Sequence, residues 1–189
     1  LIIFSFFLIY FYPILHSGII AYIIINLSYN FGLKNFPYIE IILLAFGYVI
    51  RINIGSNIIQ VDSSILMLSC IFFVGIFFII LKRVGELNHD NNSLNTNTRG
   101  VLKYYDLDNL RFLSFFSIFL ISIILLIYII TTNINLILSF VLTVYFLHKY
   151  YLITKDSSEG ENPINFILSN RTLFILSFII LLSFIIIYI

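Results

Sequence analysis

Long runs of apolar side chains, separated by short polar segments, constrain this chain more than any other feature of its sequence. An α-helix needs about 20 apolar residues to cross the hydrocarbon core of a bilayer, and sometimes only about 17. The predicted spans are residues 1–12, 13–29, 38–54, 64–81, 110–130, 136–151 and 173–189. Because the chain starts without Met and inside an apolar run, we expect it to be a fragment cut at its N-terminus within a helix.

Composition and pattern favour membrane helices over other folds. The chain is 61% hydrophobic and only 10% charged, whereas soluble domains are about 45–50% apolar and about 25% charged. The runs lack the alternation of a membrane barrel, and backbone groups in lipid must be hydrogen-bonded within the protein. We therefore predict one all-α, polytopic transmembrane bundle over residues 1–189, with a polar loop at residues 83–108 and no nucleic-acid partner.

The basic residues fall on one side of the predicted bundle. If consecutive spans alternate in direction, the loops after spans two, four and six share a side, and every Lys and Arg except Arg51 lies in or beside them. The loops after spans one, three and five carry only Asp62 as a charge. Because Lys and Arg accumulate in cytoplasmic loops, we expect a multi-pass plasma-membrane protein whose basic loops face the cytoplasm.

Arg51 is the basic residue that does not follow this pattern. At about 1.5 Å per residue it lies roughly 20 Å along its span from Tyr38. A cation at that depth is costly. Two interpretations are open: Arg51 reaches the opposite membrane interface along its flexible stem, or it faces a cavity within the bundle and binds an anion.

The fourth span ends at a second group of charges. Lys82 and Arg83 are followed by Glu86 at spacings that allow ion pairs within one helix. The two cations are either an ordinary stop at the membrane surface or a site for a phosphate group. Lys34 is interpreted as a loop lysine, and Glu40 is expected to favour the N-terminus of its helix rather than to bind a metal or substrate.

Four segments of the chain together resemble a family of membrane enzymes. They are LSYNFGLKNFPYIEIILLAFGYVIRINIG (27–55), LKRVGEL (81–87), RGVLKYYDLDNLRFL (99–113) and GENPINFILSNRTLFILSFI (160–179). In their order and spacing they are similar to the decaprenyl-phosphate phosphoribosyltransferase branch of the UbiA prenyltransferase superfamily. The resemblance implies a nine-helix transmembrane bundle around a cavity open to the cytoplasm, in which the seven spans are helices three to nine.

The resemblance also implies an activity. It is the transfer of a 5-phosphoribosyl group from phosphoribosyl pyrophosphate to the phosphate of a polyprenyl, decaprenyl-like lipid. Lys34 and Arg51 match family positions that contact the donor phosphates. Lys82 and Arg83 match positions assigned to the lipid phosphate, and Glu86 would orient that pair.

Three features of the sequence depart from the family, and one is the run of residues 52–55 after Arg51, where the family more often has small residues. Its Mg²⁺-binding motif, of the Asn-Asp-x-x-Asp type, would precede residue 1. No metal ligand is therefore expected in these residues, and the fragment alone is expected to be inactive. Gly85 also stands where the family usually has Ala.

Other functions stay open at the level of sequence. A UbiA-type prenyltransferase acting on an aromatic or haem-like acceptor needs a second aspartate-rich motif near residues 82–106, and Asp90, Asp106 and Asp108 lack its spacing. A transporter would place polar residues along several spans, whereas the fifth and seventh spans have few polar groups beyond Ser and Tyr. A non-catalytic membrane scaffold is a further alternative.

Overall fold

The computed structural model describes residues 16–92 and 100–188, with side chains described for all of these except 90–92, 187 and 188. Throughout this part of the chain the secondary structure is helical, without strands, as the sequence predicts. The α-helices are α1 (His16–Asn30), α2 (Ile39–Ile58), α3 (Ile65–Asn92), α4 (Leu107–Thr131), α5 (Ile137–Thr154), α6 (Pro163–Ser169) and α7 (Arg171–Tyr188). Short 3₁₀ turns lie at Leu33–Asn35, Gly100–Tyr104, Ile134–Leu136 and Glu159–Glu161.

Four segments in the described residues are long and apolar enough to cross a membrane. They are Ile39–Ile58, Ile65–His89, Leu107–Thr131 and Ile134–Thr154. Helices α6 and α7 pass the same test only as a pair, because a bend of 97° separates Pro163–Ser169 from Arg171–Ile186. The prediction of seven spans is therefore confirmed only for four, or for five when the bent pair counts as one.

The two remaining predicted spans lie near the start of the chain. The first, residues 1–12, falls outside the described residues. The second, residues 13–29, corresponds to α1, which is described over 15 residues. Residues 13–15 of this predicted span lie outside the described residues.

Helix α3 is the centre of the packing. On one side its residues Ile80 and Val84 join a core with Ile41 of α2 and Leu110 of α4. On the other side Phe77 and Leu81 join a second core formed with residues of α4, α5, α6 and α7, which are Ile118, Ile121, Leu147, Tyr150, Phe166 and Leu173. Every other described membrane-length helix therefore packs directly or indirectly on α3.

The outward faces of the same helices are also apolar. Phe119, Ile130 and Leu138 are all exposed, and they belong to α4 and α5 rather than to loops. Soluble proteins rarely present such large continuous apolar surfaces to water. The exposed surface therefore agrees with a bundle whose outer faces contact lipid.

A hydrogen bond between two serines joins α5 to α7 within the apolar bundle. Ser139 Oγ and Ser183 Oγ are 2.8 Å apart, and both residues are buried. Ser183 donates its single proton to the carbonyl of Ile180, so Ser139 is the donor to Ser183. Such bonds between membrane helices contribute on the order of 0.6 kcal/mol. The pair therefore contributes little to the stability of the bundle, and its main effect is to determine which faces of α5 and α7 meet.

The loops that follow α1, α3 and α5 meet at one end of the bundle. After α1, the ring of Tyr38 packs edge-to-face on that of Tyr105, which precedes α4, with 5.3 Å between centroids. Near the end of α3, Asn88 Nδ2 donates to the carbonyl of Ser157, 3.1 Å away and just beyond α5. We call this end, formed by residues 31–38, 100–106 and 155–162, the basic end. Its segments carry Lys34, Lys103 and Lys155, together with the acidic residues Asp106, Asp156, Glu159 and Glu161.

Candidate functional site

A cluster of buried charges lies at the basic end, between α2 and α3. Arg83 and Glu40 are each 2% exposed, and Arg83 Nε lies 2.7 Å from Glu40 Oε1. Arg83 Nη1 also donates to Oε2 of Glu86, one turn further along α3. The predicted intrahelical pair between Arg83 and Glu86 is therefore present. Lys82 is partly exposed and has no ion pair within the described residues.

Tyr105 connects this cluster to the segment before α4. Its hydroxyl donates to Glu40 Oε1 at 3.1 Å and accepts from the backbone N–H of Tyr38 at 3.2 Å. Tyr38 precedes α2 and has φ +65°, a left-handed conformation that residues other than glycine rarely adopt. Burial raises the pKa of the Tyr105 hydroxyl, so the neutral phenol is the form that donates. Tyr105 thus fixes the start of α2 through the backbone of Tyr38 and through the carboxylate of Glu40.

The position predicted for Glu40, at the N-terminus of its helix, accounts for only part of its environment. Glu40 does lie in the first turn of α2, but no side chain caps this helix with a hydrogen bond. Its carboxylate instead pairs with Arg83 on the neighbouring helix. The signal available in the sequence was a carboxylate in an apolar segment, which needs a partner when it is buried. Tyr105 carried no comparable signal, because tyrosines are frequent in this chain.

The geometry also bears on the role predicted for Arg83. Two carboxylates already flank its guanidinium, and the side chain is almost fully enclosed. A contact between Arg83 and a lipid phosphate would therefore require the pair with Glu40 to open. Lys82 precedes Arg83 in α3 and has no such constraint within the described residues, so it is the more accessible cation of the two.

Two glycines allow the loop after α5 to dock directly on α3. A β-carbon on Gly85 would lie 2.5 Å from the backbone nitrogen of Glu161, and one on Gly160 would lie 2.5 Å from the carbonyl oxygen of Leu81. Carbon atoms do not approach other heavy atoms this closely without displacement. An alanine in place of Gly85 would push the 3₁₀ turn Glu159–Glu161 away from α3.

Arg51 lies far from the buried cluster. At about 1.5 Å per residue it is roughly 16 Å along α2 from Glu40. Its Nη2 and Nε donate to the hydroxyl of Tyr22 on α1, at 2.7 and 3.1 Å. The guanidinium carbon also lies 5.1 and 5.6 Å from the ring centroids of Tyr22 and Tyr48. No carboxylate pairs with Arg51 within residues 16–92 and 100–188.

A cavity of about 240 Å³ lies beside Arg51, between α1 and α2. The described residues that line it from α1 include Tyr22, Asn26, Tyr29 and Asn30, and those from α2 are Leu43, Leu44, Gly47 and Arg51. Residues that are four or seven positions apart share one face of a helix. The polar residues of α1 therefore form a continuous stripe, and we call Tyr22, Asn26, Tyr29, Asn30 and Arg51 the polar seam.

The structure does not bring the two residues predicted for the donor phosphates together. Lys34 is exposed in the 3₁₀ turn Leu33–Asn35. Arg51 lies about 18 Å along α2 from Ile39, the first residue of that helix. This distance exceeds the size of one diphosphate group. Lys34 and Arg51 can therefore contact only different groups of an extended ligand in this arrangement.

Comparisons with known proteins do not assign the chain to a family. No protein-family model matches it, and no curated protein matches it significantly. The functional interpretation therefore rests on the residues and on the geometry described above.

Proposed function

We propose that this chain belongs to a membrane-embedded transferase of the UbiA type. The enzyme would move a 5-phosphoribosyl group from phosphoribosyl pyrophosphate to a polyprenyl phosphate. The basic end would face the cytoplasm of a plasma-membrane protein, and the spans would belong to a nine-helix bundle.

One observation supports this proposal above the others. The four segments on which the resemblance depends lie far apart in the chain, yet they contact one another at the basic end. Arg83 of the second segment pairs with Glu40 of the first, and Tyr105 of the third donates to Glu40. Gly85 of the second lies against Glu161 of the fourth. A site built from these segments would require this convergence.

The proposed reaction requires the protein mainly to position the two substrates and to stabilise negative charge. A phosphate acceptor is already ionised at neutral pH, so the reaction does not require a general base. The bond between the ribose C1 and pyrophosphate breaks, an oxygen of the lipid phosphate bonds to C1, and pyrophosphate leaves with the electron pair. The carbon passes through an oxocarbenium-like state, as in other glycosyl transfers. The rate enhancement would come from positioning of the two substrates and from stabilisation of the negative charge on the leaving pyrophosphate.

The described residues do not fit the Mg²⁺ ion that the resemblance implies. No three His, Cys, Asp or Glu side chains come together in residues 16–92 and 100–188 in a way that could hold a metal ion. We therefore assign no step to a metal here. Within this part of the protein, Lys and Arg side chains would balance the negative charge of the phosphate groups.

Each cation has a distinct place in the proposal. Lys34 is exposed at the basic end, and Arg51 is exposed beside α1 about 18 Å along α2 from Ile39, so they would contact different phosphate groups of the sugar donor. Lys82 is the accessible cation for the lipid phosphate. Glu86 and Glu40 would together hold the guanidinium of Arg83 beside Lys82.

An apolar cavity offers a place for the lipid tail. It has a volume of about 280 Å³ and is lined by residues of α3, α4, α5 and α7, among them Cys70, Leu125 and Phe140. Cys70 lies roughly 18 Å along α3 from Lys82 at about 1.5 Å per residue. A hydrocarbon chain attached to a phosphate at Lys82 could therefore extend along α3 into this cavity.

Transfer of radiolabelled phosphoribose tests the proposal. The full-length protein, reconstituted in lipid nanodiscs with decaprenyl phosphate, is expected to convert labelled phosphoribosyl pyrophosphate into a product extracted by organic solvent. Decaprenol without phosphate should give no product. Incorporation of a labelled prenyl group from a prenyl diphosphate into an aromatic acceptor, without phosphoribosyl transfer, would favour the alternative prenyltransferase and reject the proposal.

A lysine variant tests the division of roles. Lys82→Gln is expected to raise the KM for decaprenyl phosphate more than the KM for the sugar donor. Lys149→Gln is the matched control, because Lys149 also lies near the basic end, but its ammonium faces the ring of Tyr145. Equal effects of Lys82→Gln on both substrates would contradict the assignment of Lys82 to the lipid phosphate.

A further inference from the structure

Helix α6 does not follow the direction of the helix that it precedes. The axes of α6 and α7 differ by 97°, and the backbone of Asn170 between them is extended. The side-chain oxygen of Asn170 accepts from the backbone N–H groups of Thr172 and Leu173, at 3.2 and 3.4 Å. Because this cap satisfies donors at the start of α7, the bend is a stable part of the fold. If α7 crosses the bilayer, α6 therefore runs nearly parallel to the membrane plane.

The aromatic side chains around Phe166 determine the level of α6 along the bundle. Phe166 is buried, and its ring centroid lies 5.7 Å from that of Tyr150 on α5. Tyr150 in turn meets Phe78 on α3, with 5.2 Å between the ring centroids. Helix α3 continues from Phe78 for about 16 Å as far as His89, at about 1.5 Å per residue. Helix α6 therefore packs against the side of the bundle rather than over its end, at a level one helical turn before Lys82.

Two apolar side chains of α6 point away from this contact. Ile164 and Leu168, one turn apart, are 74% and 60% exposed. Because successive residues of an α-helix are rotated by about 100°, this pair lies roughly opposite Phe166. The fold therefore turns one apolar face of α6 towards the core and presents a second one outwards, beside the bundle.

A polar stripe runs along α6 between these two faces. Asn162, Asn165 and Ser169 are spaced by three or four residues, so they share one side of the helix. Together with Glu159 and Glu161 of the preceding 3₁₀ turn, they line a cavity of about 290 Å³. The polar groups of α6 therefore have a polar environment of their own, separate from its exposed apolar pair.

The helix that follows α6 has an apolar outer surface. Phe174, Ile175 and Phe178 are exposed on α7, and Arg171 is exposed at its start. In a membrane helix this order places the cation at the level of the headgroups and the apolar residues in the hydrocarbon. A helix at a right angle to such a span, with a polar side and an outward apolar side, has the arrangement of helices that lie in the membrane interface.

We propose that α6 lies at the boundary between headgroups and hydrocarbon at the basic end, with Ile164 and Leu168 among the lipid chains. Its partner is the surface of the leaflet itself. Phe166 holds the helix on the bundle, and the polar stripe keeps Asn162, Asn165 and Ser169 on the side of the cavity. This placement depends on the bend, the buried ring and the exposed pair, and it is independent of phosphoribosyl transfer.

Tryptophan fluorescence of the full-length protein in nanodiscs tests this placement. Residues 1–189 contain no tryptophan, so one introduced there reports on its own position once the emission of the parent protein has been subtracted. Ile164→Trp and Leu168→Trp replace exposed side chains. Both should lose more fluorescence to phospholipids brominated near the glycerol than to phospholipids brominated near the ends of the acyl chains. Both should also resist quenching by aqueous iodide.

Two further positions calibrate the depth. Asn165→Trp, on the polar stripe, is expected to be quenched by iodide and to respond little to either brominated lipid. Phe178 lies about 10 Å along α7 from Arg171, so Phe178→Trp should respond more strongly to bromine near the ends of the acyl chains. Thermal unfolding of all four variants identifies any that has lost the fold, and each of the two reporters at Ile164 and Leu168 tests the placement independently.

The pattern of quenching separates three placements of α6. Stronger quenching of the reporters at Ile164 and Leu168 by bromine near the glycerol supports the interfacial helix. Stronger quenching by bromine near the chain ends would show that α6 enters the hydrocarbon as a re-entrant segment. Quenching by iodide alone would show that the pair faces water, as a docking surface for a soluble protein would, and either of these two results overturns the proposal. Interfacial quenching in a protein that transfers no phosphoribose would keep the placement and reject only the proposed function.

Discussion

Arg83 Nε lies 2.7 Å from Oε1 of Glu40, although the two residues belong to different membrane-length helices. Each residue is almost completely buried, so the charge of Glu40 depends on Arg83 for compensation, whereas Arg83 also pairs with Glu86. The pair joins α2 to α3 at the basic end, beside the apolar contacts of both helices and the hydroxyl of Tyr105. This contact explains why the apolar first turn of α2 accommodates a carboxylate.

Removal of one member of this pair should destabilise the bundle strongly. Glu40→Gln is expected to lower the free energy of unfolding by about 3 kcal/mol, at the lower end of the range for broken buried ion pairs, because Glu86 still faces Arg83. Replacement of both residues, as Glu40→Leu with Arg83→Met, should cost less than Arg83→Met alone, because Arg83→Met leaves the carboxylate of Glu40 buried without its cation. Unfolding of the full-length protein in mixed micelles with increasing SDS measures both.

Asp108 offers the control for this measurement. It pairs with Arg111 at 3.4 Å but is 88% exposed on its side chain. Asp108→Asn should therefore change the stability by less than about 1 kcal/mol. A loss as large as that of Glu40→Gln would show that burial does not decide the strength of these pairs.

The hydroxyl of Tyr105 should make the stability of the protein fall at alkaline pH. Burial raises the pKa of its hydroxyl above the ordinary value near 10, so the folded state favours the protonated phenol. The stability from this preference is complete below the unfolded-state pKa of about 10 and is lost as the pH rises towards the folded-state pKa. Tyr105→Phe should lower stability at neutral pH by about 1.5 kcal/mol or more through loss of the bond to Glu40. Its melting temperature should then fall less steeply above about pH 10. Parallel slopes for the two proteins would contradict this prediction.

Gly85 should not tolerate even a methyl group. In Gly85→Ala the new carbon would lie 2.5 Å from the nitrogen of Glu161 and 2.9 Å from the carbonyl carbon of Gly160. We expect a loss of about 1–3 kcal/mol, as for other overpacked sites. Gly55→Ala is the matched control, because it meets no heavy atom within 4 Å and alanine favours a helix by up to about 1 kcal/mol. SDS unfolding that ranks Gly55→Ala below Gly85→Ala would contradict the described docking.

Tyr150 carries a hydroxyl that its surroundings do not use. The group is buried without a hydrogen-bond partner in the described part of the chain, and its ring packs among Phe77, Phe78, Phe146 and Phe166. Tyr150→Phe is expected to be neutral or to stabilise the protein by about 1 kcal/mol, because an unsatisfied buried group is removed. Tyr150→Ala should cost about 3–5 kcal/mol through loss of the ring. A Tyr150→Phe variant that is less stable than the parent would reveal a partner for the hydroxyl.

The sequence predicted the local features of this structure well. Apolar runs of membrane length indicated helices, and the spacing of Arg83 and Glu86 indicated their ion pair. These predictions succeed because both depend on the geometry of a single helix. The bend before α7 was not predicted, because it occurs at Asn170, whose extended backbone has no accompanying proline or glycine to mark it.

Contacts between helices were harder to predict. Nothing in the local spacing connects Glu40 with Arg83, and only the cost of burying each charge required that some partner exist. The separation of Lys34 from Arg51 could have been predicted, since the rise per residue of a helix fixes it. The partnership of Arg51 with Tyr22 depends on the rotation of α1 about its axis, which the weakly polarised pattern of apolar residues does not determine.

The contacts of Asn88 and Tyr105 have a practical consequence for finding the orientation of the protein. Asn88 donates to the carbonyl of Ser157 and Tyr105 donates to the carboxylate of Glu40, so the described chain is anchored on both sides of residues 93–99. The entropy of closing a loop grows only with the logarithm of its length. An epitope or fluorescent reporter inserted between these anchors should therefore leave the helices in place, and its accessibility in sealed cells would identify the compartment that the basic end faces.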